Sequence, residues 1–379
     1  MSGSDRSPQG VVTCRAVVCW GPDEPWTVED ITVDPPSPSE VRIKLLYASV
    51  CHTDIVRSKG FPVPLFPRVL GHEGVGVVES IGSEATEFKV GDVVIPTFVG
   101  ECRKCDNCKL GNTNLCLVHP LLLTGLMPDG TSRMSVHGQP LYHLFSCSTW
   151  SEYTVVAACY LVRVDPDLEI RHASFLSCGF TTGYGAAWRA AGVKSGSSVA
   201  VIGLGGVGLG AIQGSSSLGA APIIGVDVND SKRGKGEAFG MTHFINPNQS
   251  DKSLPELIRD LTGGMGVDYC FECVGGSALI NHALESTKMG FGTVVAFGAG
   301  SGKSLEINFP SLVTGRTLKG TVFGGIKPRS DLPELFTKCK LKEIQLDQLA
   351  SHEIGLDEVP KANQLLKQDD CVKILIKMC

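Results

Sequence analysis

"SSVAVIGLGGVGLGAIQGSSSLG" (residues 197–219) joins a short apolar run to a glycine-rich turn and then to a stretch of helical length. Gly203, Gly205 and Gly208 make the pattern G-x-G-x-x-G. Alone, that string is weak. Here a strand-like run precedes it, a helix-like run follows it, and "PIIGVDV" (222–228) places Asp227 nineteen residues beyond Gly208. Glycines at these points permit a tight turn and close approach of a ligand to the backbone, and the following helix N-terminus attracts a pyrophosphate. Gly203, Gly205, Gly206, Val207 and Gly208 are therefore expected to hold a dinucleotide. Asp227 is expected to accept hydrogen bonds from the adenosine ribose, with Lys232 adding a contact there. A carboxylate at that point repels a 2′-phosphate, which favours NAD over NADP.

Outward from this turn the texture is regular. Strand-like "THFIN" (242–246), "VDYCFECV" (267–274) and "GTVVAFGAG" (292–300) alternate with helix-like "KRGKGEAFG" (232–240), "LPELIRDLTG" (254–263) and "SALINHALESTKM" (277–289). Such alternation predicts an α/β fold with a doubly wound parallel sheet. The first 180 or so residues differ. "EVRIKLLYASV" (40–50), "GVGVVESI" (74–81), "GDVVIPTF" (91–98) and "SEYTVV" (151–156) read as short strands separated by Gly, Pro and Asp joints. Residues 117–150 show no period and are expected to be irregular. Beyond about Gly325, "DLPELFTKC" (331–339) reads as a helix and "CVKILIKMC" (371–379) as a closing strand.

At 379 residues the chain exceeds the usual size of one core, so two domains are expected. A formal charge of −5 gives no reason to expect a nucleic acid or an anionic membrane as partner. No apolar stretch approaches the roughly 20 residues that span a bilayer. The opening "MSGSDRSPQGVVTC" lacks the layout of a secretory leader, so a cytoplasmic address is expected.

Fifteen cysteines are many for such a chain, and four stand in "ECRKCDNCKLGNTNLC" (101–116). Cys102, Cys105, Cys108 and Cys116 are separated by two, two and seven intervening residues, a spacing that suits a closed, structural tetrathiolate zinc site. In a reducing compartment a metal is the better explanation than disulfides. An iron–sulfur cluster is the sharpest rival, but the last gap is long for it and no proline follows Cys116. Cys51 in "SVCHTDIV", His72 and Glu73 in "VLGHEGVG", and Cys178 in "FLSCGFTTGYG" are individually uninformative.

Together with "CHTD", "GHEGVGVVESIG", "GDVVIP", "GLMPDGTSR", "STWSEYTVV", "SCGFTTGYGAAW", "GLGGVG", "GVDVN", "FECVG" and "GRTLKGTVFGG", they make a chain that resembles the zinc-dependent alcohol dehydrogenases of the medium-chain dehydrogenase/reductase family, plant members above all. The resemblance implies a GroES-like, β-rich catalytic domain at 1–180 closed by 325–379, interrupted by a Rossmann NAD-binding domain at 181–324, with the active site in the cleft between them. It implies two zinc ions per subunit. Cys51, His72 and Cys178 would ligate the catalytic one, with Glu73 close behind and Asp54 orienting His72, and the four-cysteine loop would hold the structural one. Thr53 would hydrogen-bond the substrate oxygen and begin proton removal. His52 and Lys373 would face the cofactor pyrophosphate, and Thr182 the nicotinamide. Phe61, Phe98 and Trp150 would line an apolar substrate channel.

The chain departs from the family in places. Val56 stands where many members place a relay histidine, so no side chain carries the proton outward. His52 and Lys373 replace arginines, which predicts weaker NAD binding. No Asp or Glu occurs in "IVRSKGFPVPLFPR" (55–68), which argues against a glutathione adduct as substrate. The expected activity is NAD-linked interconversion of a lipophilic alcohol and its aldehyde or ketone. The alternative is a zinc-dependent lyase on the same scaffold, splitting a cyanohydrin into carbonyl and cyanide; a zinc-stabilised NAD-binding protein without activity is a third reading. The family implies a homodimer joined through strands around "GTVVAFGAG" and "SLEINFP" (304–310).

Overall fold

Short strands punctuated by Gly, Pro and Asp assemble into three sheets in the computed structural model, which describes residues 10–298 and 304–378. The chain begins with β1 (Val12–Cys19), β2 (Thr27–Val33), β3 (Glu40–Val50), α1 (His52–Ser58), β4 (Arg68–Val69), β5 (Gly74–Ile81) and β6 (Val93–Pro96). Next come α2 (Asp106–Leu110), β7 (Met134–Val136), β8 (Gln139–Pro140), β9 (Tyr153–Ala157) and β10 (Leu161–Arg163). A second series follows: α3 (Gly179–Gly185), β11 (Val199–Ile202), α4 (Gly206–Ser217), β12 (Ile223–Val226), α5 (Lys232–Ala238) and β13 (His243–Ile245). It continues through α6 (Leu254–Asp260), β14 (Tyr269–Glu272), α7 (Ser277–Ser286), β15 (Thr293–Ala296), α8 (Phe309–Val313) and β16 (Thr317–Gly320). The chain ends with α9 (Pro328–Lys340), β17 (Ala350–Gly355), α10 (Ala362–Leu365) and β18 (Lys373–Lys377).

Two units separate. Residues 10–178 and 327–378 form the first, and 179–298 with 304–326 the second. In the first, one sheet runs β4-β1-β2-β7-β8 and another β10-β6-β5-β3-β18-β17, with β9 also on β3. Strand β3 organises that unit, because β5, β9 and β18 all pair with it. The register of β18 on β3 sets Ile374 opposite Val50, which brings the C-terminal strand beside Cys51 at the start of α1.

The second unit has one parallel sheet in the order β13-β12-β11-β14-β15-β16. "VAVI" of β11 and "IIGV" of β12 are buried at every position, as parallel strands covered on both faces must be. Their core continues through Ile258 of α6 and Ala283 and Leu284 of α7.

Two expectations need correction. The segment 304–308 forms no strand; Asn308 precedes α8 and Pro310 lies in that helix's first turn, both of which favour a helix start. The sheet ends instead in β16, from "GRTLKG". Within the irregular 117–150 a small hairpin, β7–β8, turns at His137 and Gly138, whose φ values of 49° and 78° suit a two-residue turn. Residues 1–9, which the expectation of no leader partly concerned, together with Ala299 and Gly300 of "GTVVAFGAG" and Cys379, lie outside the described residues. Among the described residues no helix is long and apolar enough to cross a membrane.

Candidate metal centres and cofactor turn

The four-cysteine loop closes on itself. Sγ of Cys102 lies 3.9 Å from that of Cys108, and Sγ of Cys105 lies 3.8 Å from that of Cys116. All four sulfurs fall within 4.8 Å of one another. A disulfide would bring two sulfurs to about 2.05 Å, whereas a tetrahedron with metal–sulfur arms of about 2.3 Å has edges of about 3.8 Å. The loop therefore has the dimensions of a tetrathiolate zinc site. Backbone amides favour thiolate here: the N–H groups of Lys104 and Cys105 donate to Cys102 Sγ at 3.4 and 3.2 Å, and that of His119 to Cys116 Sγ at 3.3 Å. Amide donation draws the Cys105 thiol down to about 6, while burial and its thiol neighbours push Cys108 up to about 12. The lobe is tied back to its unit where Lys327 Nζ donates to the Cys108 carbonyl at 2.6 Å.

A second set is built from three separate places. Cys51 lies between β3 and α1, His72 and Glu73 sit just before β5, and Cys178 follows a helical turn at 170–177. Ligand atoms of these four residues also lie within 4.8 Å of one another. Asp54 fixes the histidine. Its Oδ1 accepts from His72 Nδ1 at 2.9 Å and from the Gly71 amide at 3.1 Å, and its Oδ2 accepts from the Cys51 amide at 3.0 Å. His72 is fully buried, and its Nε2 has no hydrogen-bond partner. An orphaned buried nitrogen costs about 1–3 kcal/mol; a metal ion facing it removes that cost.

The charges fit a cation. Cys178 hydrogen-bonds Cys51 and draws the Cys51 thiol well below its usual value, against the effect of burial; the same bond, with burial, raises Cys178. Burial alone would lower the His72 imidazole, yet the charges of Asp54 and Cys51 outweigh it and raise it. Glu73, fully buried, is pushed up by burial and partly restored by Lys373. Its carboxylate accepts from Ser49 Oγ and pairs with the Lys373 ammonium. Lys373, expected at the cofactor pyrophosphate, has its Nζ behind the metal set, where it donates to the Val50 carbonyl at 3.2 Å and neutralises Glu73. A buried carboxylate needs a counter-charge, and β18 delivers one.

In the second unit the glycine turn has the shape a pyrophosphate needs. Gly203 has φ +91°, and a Cβ there would meet Val274 Cγ2 at 2.6 Å. A Cβ at Gly208 would stand 1.9 Å from the Gly203 carbonyl oxygen, so the helix can enter the turn this tightly only with glycine. A Cβ at Gly205 would meet nothing within 4 Å; that face is open. Helix α4 begins at Gly206 and Val207 with no side chain capping its first amides, which leaves donors for an anion. Asp227 follows β12; its Oδ2 accepts from the Leu204 amide at 2.8 Å, anchoring the carboxylate beside the turn. Lys232 opens α5 and is buried, and Thr182 is half-buried in α3.

Comparison with known proteins agrees with this geometry. A family model described as "Alcohol dehydrogenase GroES-like domain" matches residues 37–166, and one described as "Zinc-binding dehydrogenase" matches residues 206–340. "CYP enzymes assisting alcohol dehydrogenase" of Catharanthus roseus is 58% identical over 374 residues, covering 97% of this chain and 100% of its own. "Alcohol dehydrogenase 1" of Artemisia annua is 57% identical over 97% of this chain and 98% of its own. The chain belongs to the zinc-dependent alcohol dehydrogenases. The crystal structure of benzyl alcohol dehydrogenase from Acinetobacter calcoaceticus superimposes with a TM-score of 0.88 at 29% identity, over 97% of this chain and 100% of its own. These likenesses support NAD-dependent alcohol oxidoreduction and do not favour the cyanohydrin lyase.

In this alcohol dehydrogenase the residues around the second metal set differ in part from expectation. Phe98, expected to line the substrate channel, lies edge-on to His72 at 5.7 Å between ring centroids. Trp150 does not line a channel. It is fully buried, its Nε1 donates to the Ser49 carbonyl at 3.2 Å, its ring packs 5.3 Å from Trp26, and a Cβ on Gly71 would strike it at 2.4 Å. The missed residue is Phe145, 5.7 Å from His72 and 5.4 Å from Phe98. Two aromatic residues five apart in a segment without period give no sign of which one turns toward the site. Phe61 is half-buried just past α1, Thr53 is half-buried in that helix's first turn, and His52 is exposed at its start.

Proposed function

We propose that Cys51, His72 and Cys178 bind the catalytic zinc and that the chain oxidises lipophilic alcohols, or reduces their aldehydes and ketones, against Phe98 and Phe145. The observation that carries the reading is the bare, buried Nε2 of His72 held toward two thiols by Asp54. When bound, zinc would supply a Lewis acid that eases ionisation of an alcohol and polarises a carbonyl, and NAD would supply the hydride acceptor. Asp54 holds His72 in one tautomer with Nε2 unprotonated. The Thr53 hydroxyl, two residues after Cys51, accepts a hydrogen bond from the alcohol and gives up its own proton as it takes the alcohol's. Val56 offers no onward acceptor, so that proton leaves through water. Glu73 and Lys373 form a neutral pair behind the ligands and add no net charge to the site. The cysteine lobe binds the second, structural zinc.

Gly203, Gly205 and Gly208 with the first turn of α4 take the pyrophosphate, and Asp227 takes the ribose. Asp227→Ser is expected to weaken NAD binding by about ten- to hundredfold, the worth of a charge-assisted hydrogen bond, and to narrow the preference over NADP. Titration of both cofactors by nucleotide fluorescence reads this; unchanged affinities would remove Asp227 from the site.

A homodimer is part of the proposal. β16 is the outer strand of its sheet, and three of its four residues are exposed, so its edge is free to pair with a second copy. Phe309 and Val313 of α8 lie exposed nearby in sequence. The fourteen described cysteines are all free thiols, which suits a cytoplasmic address. The activity is tested by following NADH with purified protein, NAD and alcohols graded in apolar length. Among uncharged alcohols, turnover rising with apolar size is expected. No NADH from any alcohol, together with cyanide release from acetone cyanohydrin, would refute the reading.

A further inference from the structure

The aromatic wall beside the second metal set carries a cation without a counter-ion. Arg57 lies in the last turn of α1, four residues after Thr53, and the two side chains therefore share one helix face. Its guanidinium carbon sits 4.8 Å from the centre of the Phe145 ring, one ring removed from His72. Arg57 is half-buried, and its one hydrogen bond among the described residues is a long 3.4 Å contact to the Phe61 carbonyl. No described carboxylate lies within ion-pair distance. Burial lowers its basicity and no neighbour offsets that effect.

The surroundings deepen the positive field. Arg68, only 3% exposed, donates Nη2 to the His143 carbonyl at 2.8 Å and leaves Nε without a partner. Burial first, and then the charge of Arg57, bring it down to about 10. Asp54 is the carboxylate it feels, but both Asp54 oxygens are taken by His72, Gly71 and Cys51. Ser146, next to Phe145, adds a fully buried hydroxyl with no partner.

We propose that Arg57 is a specificity-determining residue, the anion-accepting end of the substrate pocket, and that the preferred alcohols carry a carboxylate remote from the hydroxyl. The proposal rests on the reading of Cys51, His72 and Cys178 as the reacting centre. A partly desolvated guanidinium without a counter-ion is costly, and a carboxylate matches its planar fork with two parallel hydrogen bonds. Phe145 holds the fork against its face and limits its orientations. The planar fork of one guanidinium matches the two oxygens of a carboxylate. The Thr53–Arg57 spacing of one helical turn sets the distance between the reacting oxygen and the anion, which selects molecules with a short rigid spacer. A purely structural Arg57, favouring the α1 C-terminus by its charge, would affect stability and leave selectivity alone.

The test compares 4-(hydroxymethyl)benzoate with its uncharged methyl ester on the zinc- and NAD-loaded enzyme. Wild type is expected to favour the acid in kcat/KM by about tenfold or more, expressed in KM. Arg57→Met should abolish the ratio and Arg57→Lys should keep part of it. Calorimetric binding of the same two compounds without NAD gives an independent reading. Equal turnover of acid and ester by wild type and Arg57→Met would overturn the subsite and leave the activity standing. Absence of turnover with an Arg57-dependent preference in binding would sink the activity and leave the subsite standing.

Discussion

Cys178→Ser is expected to lower kcat/KM by at least about a thousandfold while the fold persists. Metal polarisation of a reacting oxygen contributes several kcal/mol, and each 1.36 kcal/mol is about a factor of ten. Serine leaves a hydroxyl that is not ionised at neutral pH, so a three-ligand set drops to Cys51 and His72. Beyond its bond to Cys51, the sulfur has no structural role among the described residues: Cys178 is buried at the junction of a helical turn and α3, and serine fills nearly the same volume there. Zinc should fall from two equivalents to one. Steady-state kinetics, circular dichroism and elemental analysis of one preparation check this. Activity within tenfold of wild type would show that the ligand set lies elsewhere.

Cys105→Ser is expected to act in the opposite way, through stability. The lobe has little to hold it besides its sulfurs. Its one helix, α2, is five residues long with no buried residue, and Leu110, Leu115, Leu117 and Val118 face outward. Loss of a structural metal belongs to the few single changes that exceed about 4 kcal/mol; at roughly 2–4 °C per kcal/mol for a unit of this size, melting should fall by about 10 °C. Cleavage between residues 103 and 115 by a protease should accelerate at the same time. Activity measured well below the new melting temperature should remain within a few-fold. An unchanged melting temperature and two retained zinc ions would remove the lobe from its structural role.

These two variants separate what was legible in the chain from what was not. The cysteine lobe is local: its four ligands lie within fifteen residues, and spacing alone suggests the metal. The parallel sheet is legible for a different reason. Strands buried on both faces must be apolar throughout, and the intervening helices must alternate with them. The second metal set is not local. Cys51, His72 and Cys178 meet only after β3, β5 and the 170–177 turn have packed, so residue types alone left them anonymous and family likeness was needed to single them out. The ion pair of Lys373 is hidden from the sequence for the same reason. Its partner Glu73 is three hundred residues away, and only the register of β18 on β3 brings them together. In "SLEINFP" the alternation of apolar and polar residues imitates a strand, but Asn308 and Pro310 start a helix and β16 takes the sheet edge. Neither the burial of Trp150 nor the approach of Phe145 to His72 is legible in the sequence, because packing, not periodicity, decides which ring faces His72.

Anomalous X-ray diffraction at the zinc absorption edge, on crystals of the purified enzyme, bears most directly on the central claim. Two peaks per chain are expected, one inside the 102–116 loop and one bounded by Cys51 Sγ, His72 Nε2 and Cys178 Sγ. A single peak in the loop, with density for a hydrogen-bonded water or nothing at His72 Nε2, would contradict it.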